Sequence, residues 1–241
     1  NLDVYEKLLN KLTEEKHLLV YSLDEEFQKK MDSYGWSGRM EKADGDYLLW
    51  VDANLAALKT DHAMERTLSY SISKRPPADE SEEFRYLAAA SMEYKHTGTF
   101  AWRTSRYRTY ARVFVPLGSK LVSTIGSMKW DRTAGEGVID EGIEDGRQWF
   151  GTFIAIEPGE IKSLQFIYEL PKSVTNNIEN DMYTLFVQKQ LGTVDHGLTL
   201  DLNFDKTITA AKPGEQEEKW HDSRYELETD LRTDRAFDIR F

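Results

Sequence analysis

The stretch DYLLWVDANLAALKTDHAMERTLSYSI, Asp46 to Ile72, decides the fold class. It opens with an apolar run, Tyr47 to Val51, and closes with strict alternation: Leu68, Tyr70 and Ile72 against Thr67, Ser69 and Ser71. Successive side chains of a strand point to opposite faces, so both ends read as strands, the second with one wet face. Between them lies a polar middle, Asp52, Asn54, Lys59 and Asp61. Asp and Asn side chains bond to nearby backbone and end strands at turns. On this reading Asp52 and Asn54 end the first strand, and Leu55 to Leu58 cover the core. Lys59 and Asp61 pair with each other or with Asp52, fixing the crossover to a strand at 66–72. The same four residues are the candidate polar site.

Downstream, the period of two persists. Leu198, Leu200, Leu202 and Phe204 alternate with polar neighbours, as do Tyr225, Leu227 and Leu231, then Phe237, Ile239 and Phe241. Further strands are expected at 84–95, 106–116, 148–156, 161–170 and 182–190. Turn signals separate them: Arg75-Pro76-Pro77, Pro116-Leu117-Gly118, Pro158-Gly159, Leu170-Pro171 and Gly192-Thr193. Long irregular stretches fall at 76–83, 127–147 and 212–222.

Upstream, residues 1–38 read as helical. Tyr5, Leu8, Leu9 and Leu12 recur at helical spacing. His17 to Ser22 then reads as extended. A second helix is expected after Ser22, with Ser22 and Glu25 as a capping box and Phe27 and Met31 turned inward, stopping at Tyr34-Gly35. The predicted class is mainly β (α+β). An antiparallel β-sandwich, residues 39–241, is preceded by a small helical element, residues 1–38.

At 241 residues, with 40% hydrophobic and 30% charged side chains, the chain is long enough for one large domain without staples. A net charge of -11 argues against nucleic acid and against a hold on anionic lipid, so no nucleic-acid partner and no membrane contact by this chain is expected. Absence of cysteine removes disulfides, thiolate metal sites and cysteine nucleophiles. No 18-residue apolar run is present to span a bilayer. Asn rather than Met at the start reads as a fragment or a processed product.

No catalytic residue stands out. G-x-S-x-G, G-x-x-x-x-G-K-[ST] and G-x-G-x-x-G are absent, and no cofactor is implied. The five histidines, His17, His62, His96, His196 and His221, are scattered. Between Trp130 and Trp149, Asp131, Glu136, Asp140, Glu141, Glu144 and Asp145 sit among glycines, a supply of oxygens of the kind calcium takes. The EF-hand register fits nowhere in it, and a solvated acidic hairpin tip is the simpler reading. Trp102 and Trp220 lie in polar surroundings and are the candidate glycan-stacking rings, whereas strand tryptophans usually belong to a core.

Six segments carry a resemblance: EKHLLVYSLDEEFQKKMDSYGWSG (15–38), GDYLLWVDANLAALKTD (45–61), YARVFVPLGSKL (110–121), FGTFIAIEPGE (150–160), IYELP (167–171) and LFVQKQLGT (185–193). In this order they resemble the C-terminal half of the bacterial domain of unknown function 4012. Leu191 departs from the pattern, which favours proline there and a tighter turn. The resemblance implies an extracytoplasmic, cell-surface location. It also implies a tether through an N-terminal anchor absent from this chain, and no known activity. The expected role is a non-catalytic binding or scaffold module of the cell envelope. Its partners would be its own N-terminal half, a cell-wall polymer or another surface protein. The alternative is the accessory half of an enzyme acting on cell-wall glycan or a lipid-linked precursor.

Overall fold

The structure, a computed structural model, describes residues 2–75, 85–133, 135–216 and 219–241. The loop expected at 76–83 lies outside them. Two helices open the chain, α1 (Leu2–Glu14) and α2 (Glu25–Ser33). They are followed by β1 (Asp46–Asn54), β2 (Met64–Arg75), β3 (Arg85–His96), β4 (Tyr107–Pro116), β5 (Lys120–Ile125), β6 (Asp140–Glu144), β7 (Arg147–Ile156) and β8 (Ile161–Glu169). A short α3 (Lys172–Glu179) precedes β9 (Met182–Gln188), β10 (Gly197–Asn203), β11 (Ala210–Lys212), β12 (Arg224–Asp230) and β13 (Arg235–Arg240).

The strands form two packed sheets, ordered β11-β13-β9-β1-β4-β7-β6 and β12-β10-β2-β3-β8-β5. This is the sandwich read from the alternation, with one refinement: each sheet is mixed. β1 runs parallel to β9, and β2 runs parallel to β10. The cause is the chain path. β1 crosses to the second sheet to become β2, β9 crosses likewise to become β10, and the two arches stand side by side. Arches of the same sense bring like-directed strands together, and a period of two carries no information about direction.

The core fills the space between the sheets. On β1, Leu48 and Trp50 face inward and are buried, and the Trp50 ring meets Phe166 of β8 at 5.6 Å between centroids. Tyr47 and Leu49 face outward and are also buried, beneath Met40 and Ala43 of the segment that leads into β1. Both faces of β1 are therefore covered, which explains its unbroken apolar run. The helices are attached at one end. The buried Lys16 side chain meets Asp234 at 2.7 Å, and Asp234 also accepts the backbone N–H of Lys189.

Several local expectations change. The α2 cap is Asp24, which accepts the N–H of Phe27 at 2.8 Å; Ser22 sits outside it and accepts the N–H of Asp24. The cap thus lies two residues beyond the expected Ser22; Met31 is buried as expected, whereas Phe27 is exposed. The 127–147 stretch contains β6, and Pro171 starts α3 rather than a simple turn.

Candidate functional site

Asp46, Leu48, Trp50 and Asp52 share the inward face of β1, so the strand carries a carboxylate near each end into the interior. Burying a charge is costly unless it is paired and hydrogen-bonded, and each carboxylate is provided for differently.

Asp52 is met by the opposite sheet. Tyr94 Oη of β3 donates to Oδ1 at 2.6 Å and itself accepts the Trp50 indole N–H at 3.0 Å. Thr109 of β4 donates to the same oxygen at 3.1 Å. Arg66 of β2 lies 3.3 Å from Oδ2 through Nε. Its Nη2 reaches Tyr107 Oη at 2.7 Å and Asp61 Oδ1 at 3.0 Å, and the guanidinium lies 5.0 Å from the Tyr107 ring centre. Burial pushes the Asp52 carboxyl above the ordinary aspartate range against the pull of Arg66 and the hydroxyls. Arg66, buried too, is held charged more firmly than a free guanidinium by Tyr107 and Asp52.

Asn54 organises the arch. Its Oδ1 accepts the N–H of Ala57 at 2.8 Å, and its Nδ2 donates to Asp61 Oδ2 at 2.6 Å. Ala56 and Leu58 take positive φ, 57° and 56°. Left-handed backbone costs roughly 1–2 kcal/mol per non-glycine residue, so this tight path needs the bonds that Asn54 and Asp61 supply.

Three of the four polar-site residues, Asp52, Asn54 and Asp61, are thus joined in one network. Lys59 is not: among the described residues it makes no ion pair, and the cation is Arg66. The sequence held the signal. Arg66 is in phase with Leu68, Tyr70 and Ile72, so the alternation aims it inward. A second inward residue beside it is His196, whose Nε2 has no hydrogen-bond partner; burial, then Arg66 and Lys189, lower its pKa to about 3 despite Asp195.

The other buried carboxylate was not singled out by sequence. Asp46 is wholly buried; Tyr70 and Tyr183 donate to Oδ2 at 2.5 and 2.7 Å, and the N–H of Tyr47 donates to Oδ1 at 2.8 Å. Tyr168 extends the cluster by a 3.4 Å contact to Tyr70 Oη. Burial raises the pKa of Asp46 to about 6, offset in part by the Tyr183 and Tyr70 hydroxyls. Its phase with Leu48 and Trp50 was the available clue.

The acidic stretch does not converge. Asp131 is held by Arg106 and Arg108 at 2.9 and 3.1 Å; burial opposes its ionisation, but the two guanidinium groups hold its pKa below the usual range. Asp140 accepts the Tyr110 hydroxyl at 2.5 Å, and Glu144 faces Arg112 at 3.5 Å. Glu136 and Glu141 are exposed, and Asp145 sits in the β6–β7 turn. Among the described residues no group of three or more His, Cys, Asp or Glu is placed to hold a metal ion. Trp102 is 85% exposed, on the β3–β4 loop beside the Asn54 arch, where Leu58 bridges Thr104. Trp220 is half-buried, its indole N–H donating to the Glu215 carbonyl at 3.2 Å. Strand register places the two rings at opposite ends of the sandwich, so they form no common platform.

No family model and no curated protein matches the chain. Among solved structures, a Legionella pneumophila protein described as a "putative nutrient binding protein" aligns over 81% of this chain and 71% of its own, at 7% identity and a TM-score of 0.46. An M1 zinc metallopeptidase from Deinococcus radiodurans aligns over 74% of this chain at 11% identity and a TM-score of 0.22; the chain spans 42% of its length. Likenesses this distant carry no argument about chemistry.

Proposed function

We propose that the chain is a non-catalytic binding or scaffold module of the bacterial cell envelope, extracytoplasmic and tethered through an anchor outside this chain. The observation that carries the reading is the free face of α1. Val4, Tyr5, Leu8 and Leu9 are exposed, Tyr5 by 70% and Leu8 by 51%, while the far end of the helix is tied down through Lys16. An amphipathic helix that leaves its apolar face in water is a docking surface awaiting a partner. The interior acids support the non-catalytic side, since Asp46 Oδ2 and Asp52 Oδ1 already accept from tyrosine and threonine hydroxyls and Asp52 Oδ2 is ion-paired with Arg66 at 3.3 Å. The resemblance of residues 15–193 to the envelope family supports the location. No helix among the described residues is long and apolar enough to cross a membrane.

The test is co-sedimentation of the chain with Gram-positive sacculi, with and without their attached polymers, comparing it with a Leu8→Glu, Tyr5→Glu variant. Polymer-dependent pelleting makes it a wall-binding module, and loss of pelleting in the variant assigns α1 as the contact. Release of soluble glycan during the incubation would overturn the non-catalytic reading in favour of the glycan-processing alternative.

A further inference from the structure

The outward face of the seven-stranded sheet carries a second arrangement, on the opposite side of β1 from the buried acids. Strand register sets Val51, Arg112 and Gly151 in one row across β1, β4 and β7, and Leu49, Phe114 and Trp149 in the next, ending at Gly142 of β6. The two glycines are required by what lies over them. A Cβ on Gly142 would fall 2.8 Å from the Trp149 ring, and one on Gly151 would fall 2.9 Å from the ring and hydroxyl of Tyr110. Both rings therefore lie down on the sheet. The Arg112 guanidinium is held between them, 4.2 Å from the Trp149 centre and 5.7 Å from that of Tyr110.

Stacking on Trp149 covers a flat face of this guanidinium and leaves its edge for the Tyr110 hydroxyl and for a carboxylate. The carboxylate now facing it is Glu144, at a single 3.5 Å contact, with the two side chains 39% and 53% exposed. That distance exceeds the ~2.7–2.9 Å of a charge-assisted hydrogen bond, and an exposed pair of this kind is worth only about 0–1 kcal/mol. Arg112 is thus fixed in place but weakly used.

Beside the pair a cavity of about 350 Å³ opens over Leu49, Val51 and Phe114, walled by Met40 and Leu191. Its size is that of a small-molecule site, roughly 300–1,000 Å³. The Met40 wall is fastened: Gln188 accepts the N–H of Glu41 and donates to the Arg39 carbonyl, and Arg147 donates to the Glu41 carbonyl. The cavity presents an apolar floor, with Gln188, Lys189 and Gln190 along one side and the Arg112–Glu144 pair, 3.5 Å apart, at its rim; the Lys189 ammonium is already taken by the Gln190 and Thr193 carbonyls.

We propose that this cavity binds a free α-amino acid with an apolar side chain. The carboxylate takes the edge of Arg112, the ammonium takes Glu144, and the side chain lies on Leu49, Val51 and Phe114. A simple fatty acid would bring its carboxylate against Glu144 without compensation, and a hydrocarbon would desolvate both charges. A zwitterion satisfies both, and its two charges are spaced as the pair is. The site is separate from α1, so its test is independent of the docking role.

Isothermal titration of the intact chain with L-leucine, L-methionine and L-phenylalanine reads the proposal directly. The expected result is one-to-one binding of at least one of them, with the N-acetyl and carboxamide derivatives each about tenfold weaker or worse. Arg112→Met and Glu144→Gln should each weaken binding at least about tenfold while leaving the melting temperature within a few degrees, because the pair is exposed. No binding at millimolar ligand overturns the proposal. So does an N-acetyl derivative that binds as tightly as the amino acid, or binding unchanged in Glu144→Gln.

Discussion

Asp46 and Asp52 stand six residues apart on one face of one strand, both out of water, and they are neutralised in opposite ways. Asp46 is closed in by neutral donors, two tyrosine hydroxyls and a backbone N–H. Asp52 has hydroxyls as well, but it also has Arg66, and Arg66 continues outward to the half-exposed Asp61. The first is a sealed knot across the two sheets. The second is a chain of contacts that runs from the core to the surface and ends in the arch between β1 and β2. The lesson is that burial alone does not define a site. A sealed carboxylate only fastens the fold, whereas a linked one couples a core position to a loop.

The largest expected effect breaks the linked end. Arg66→Met leaves Asp52 buried without its cation, and urea unfolding should show a loss of about 3–5 kcal/mol. Adding Asp52→Asn should restore part of that loss, because the uncompensated charge goes with it. A single variant costing under 1 kcal/mol would mean that the tyrosine and threonine hydroxyls suffice, and the contrast with Asp46 would collapse.

Next come two titrations of opposite sign. Asp46 has its folded pKa raised from 3.8 to about 6, so its contribution is fully present below pH 3.8 and is lost as pH rises through 6. Between pH 4 and 7 the wild type should therefore lose about 2 kcal/mol relative to Asp46→Asn, read from denaturation curves at each pH. His196 lies at the linked end, with its folded pKa depressed from 6.5 to about 3. The neutral ring is fully accommodated above pH 6.5, and stability falls as pH drops below that toward 3. From pH 7 to 5 the wild type should lose about 2 kcal/mol relative to His196→Gln. Parallel pH curves for the two variants would erase the distinction between the ends.

The smallest effect is at the surface. Asp61→Ala removes the exposed partner of Arg66 and the acceptor of Asn54, and it should cost about 1 kcal/mol or less. Hydrogen exchange should localise the change to the 55–63 arch. A loss as large as that of Arg66→Met would place the anchor of the network at the surface instead of in the core.

Much of the sandwich was legible because its long strands are half-wet, and Leu68-Tyr70-Ile72 or Leu198-Leu200-Leu202 declare their faces. The edge strands were not. β6 is DEGIE and β11 is AAK; such short polar segments become strands only because a neighbour offers a free edge. The parallel pairs were invisible because direction leaves no trace in alternation. In the polar site, Asp52, Asn54 and Asp61 were visible as an interruption of an apolar pattern. Arg66 was overlooked because it fits the pattern's phase while violating its polarity, and Lys59 was favoured only for its nearness along the chain.

Gln190 has one more consequence. The backbone pairing of β1 with β9 stops at Leu49 and Gln188, yet the Gln190 side chain accepts the N–H of Asp52 and donates to its carbonyl, at 3.0 and 2.9 Å. A side-chain amide has the same donor and acceptor as a peptide group, so it acts here as a substitute rung on a ladder whose own rail has already turned away. The 191–196 part of the arch, beyond Gln190, is thereby released from completing the sheet. It can change length or course while the amide under Asp52 keeps its partner, and the carboxylate above stays where Tyr94 and Arg66 expect it.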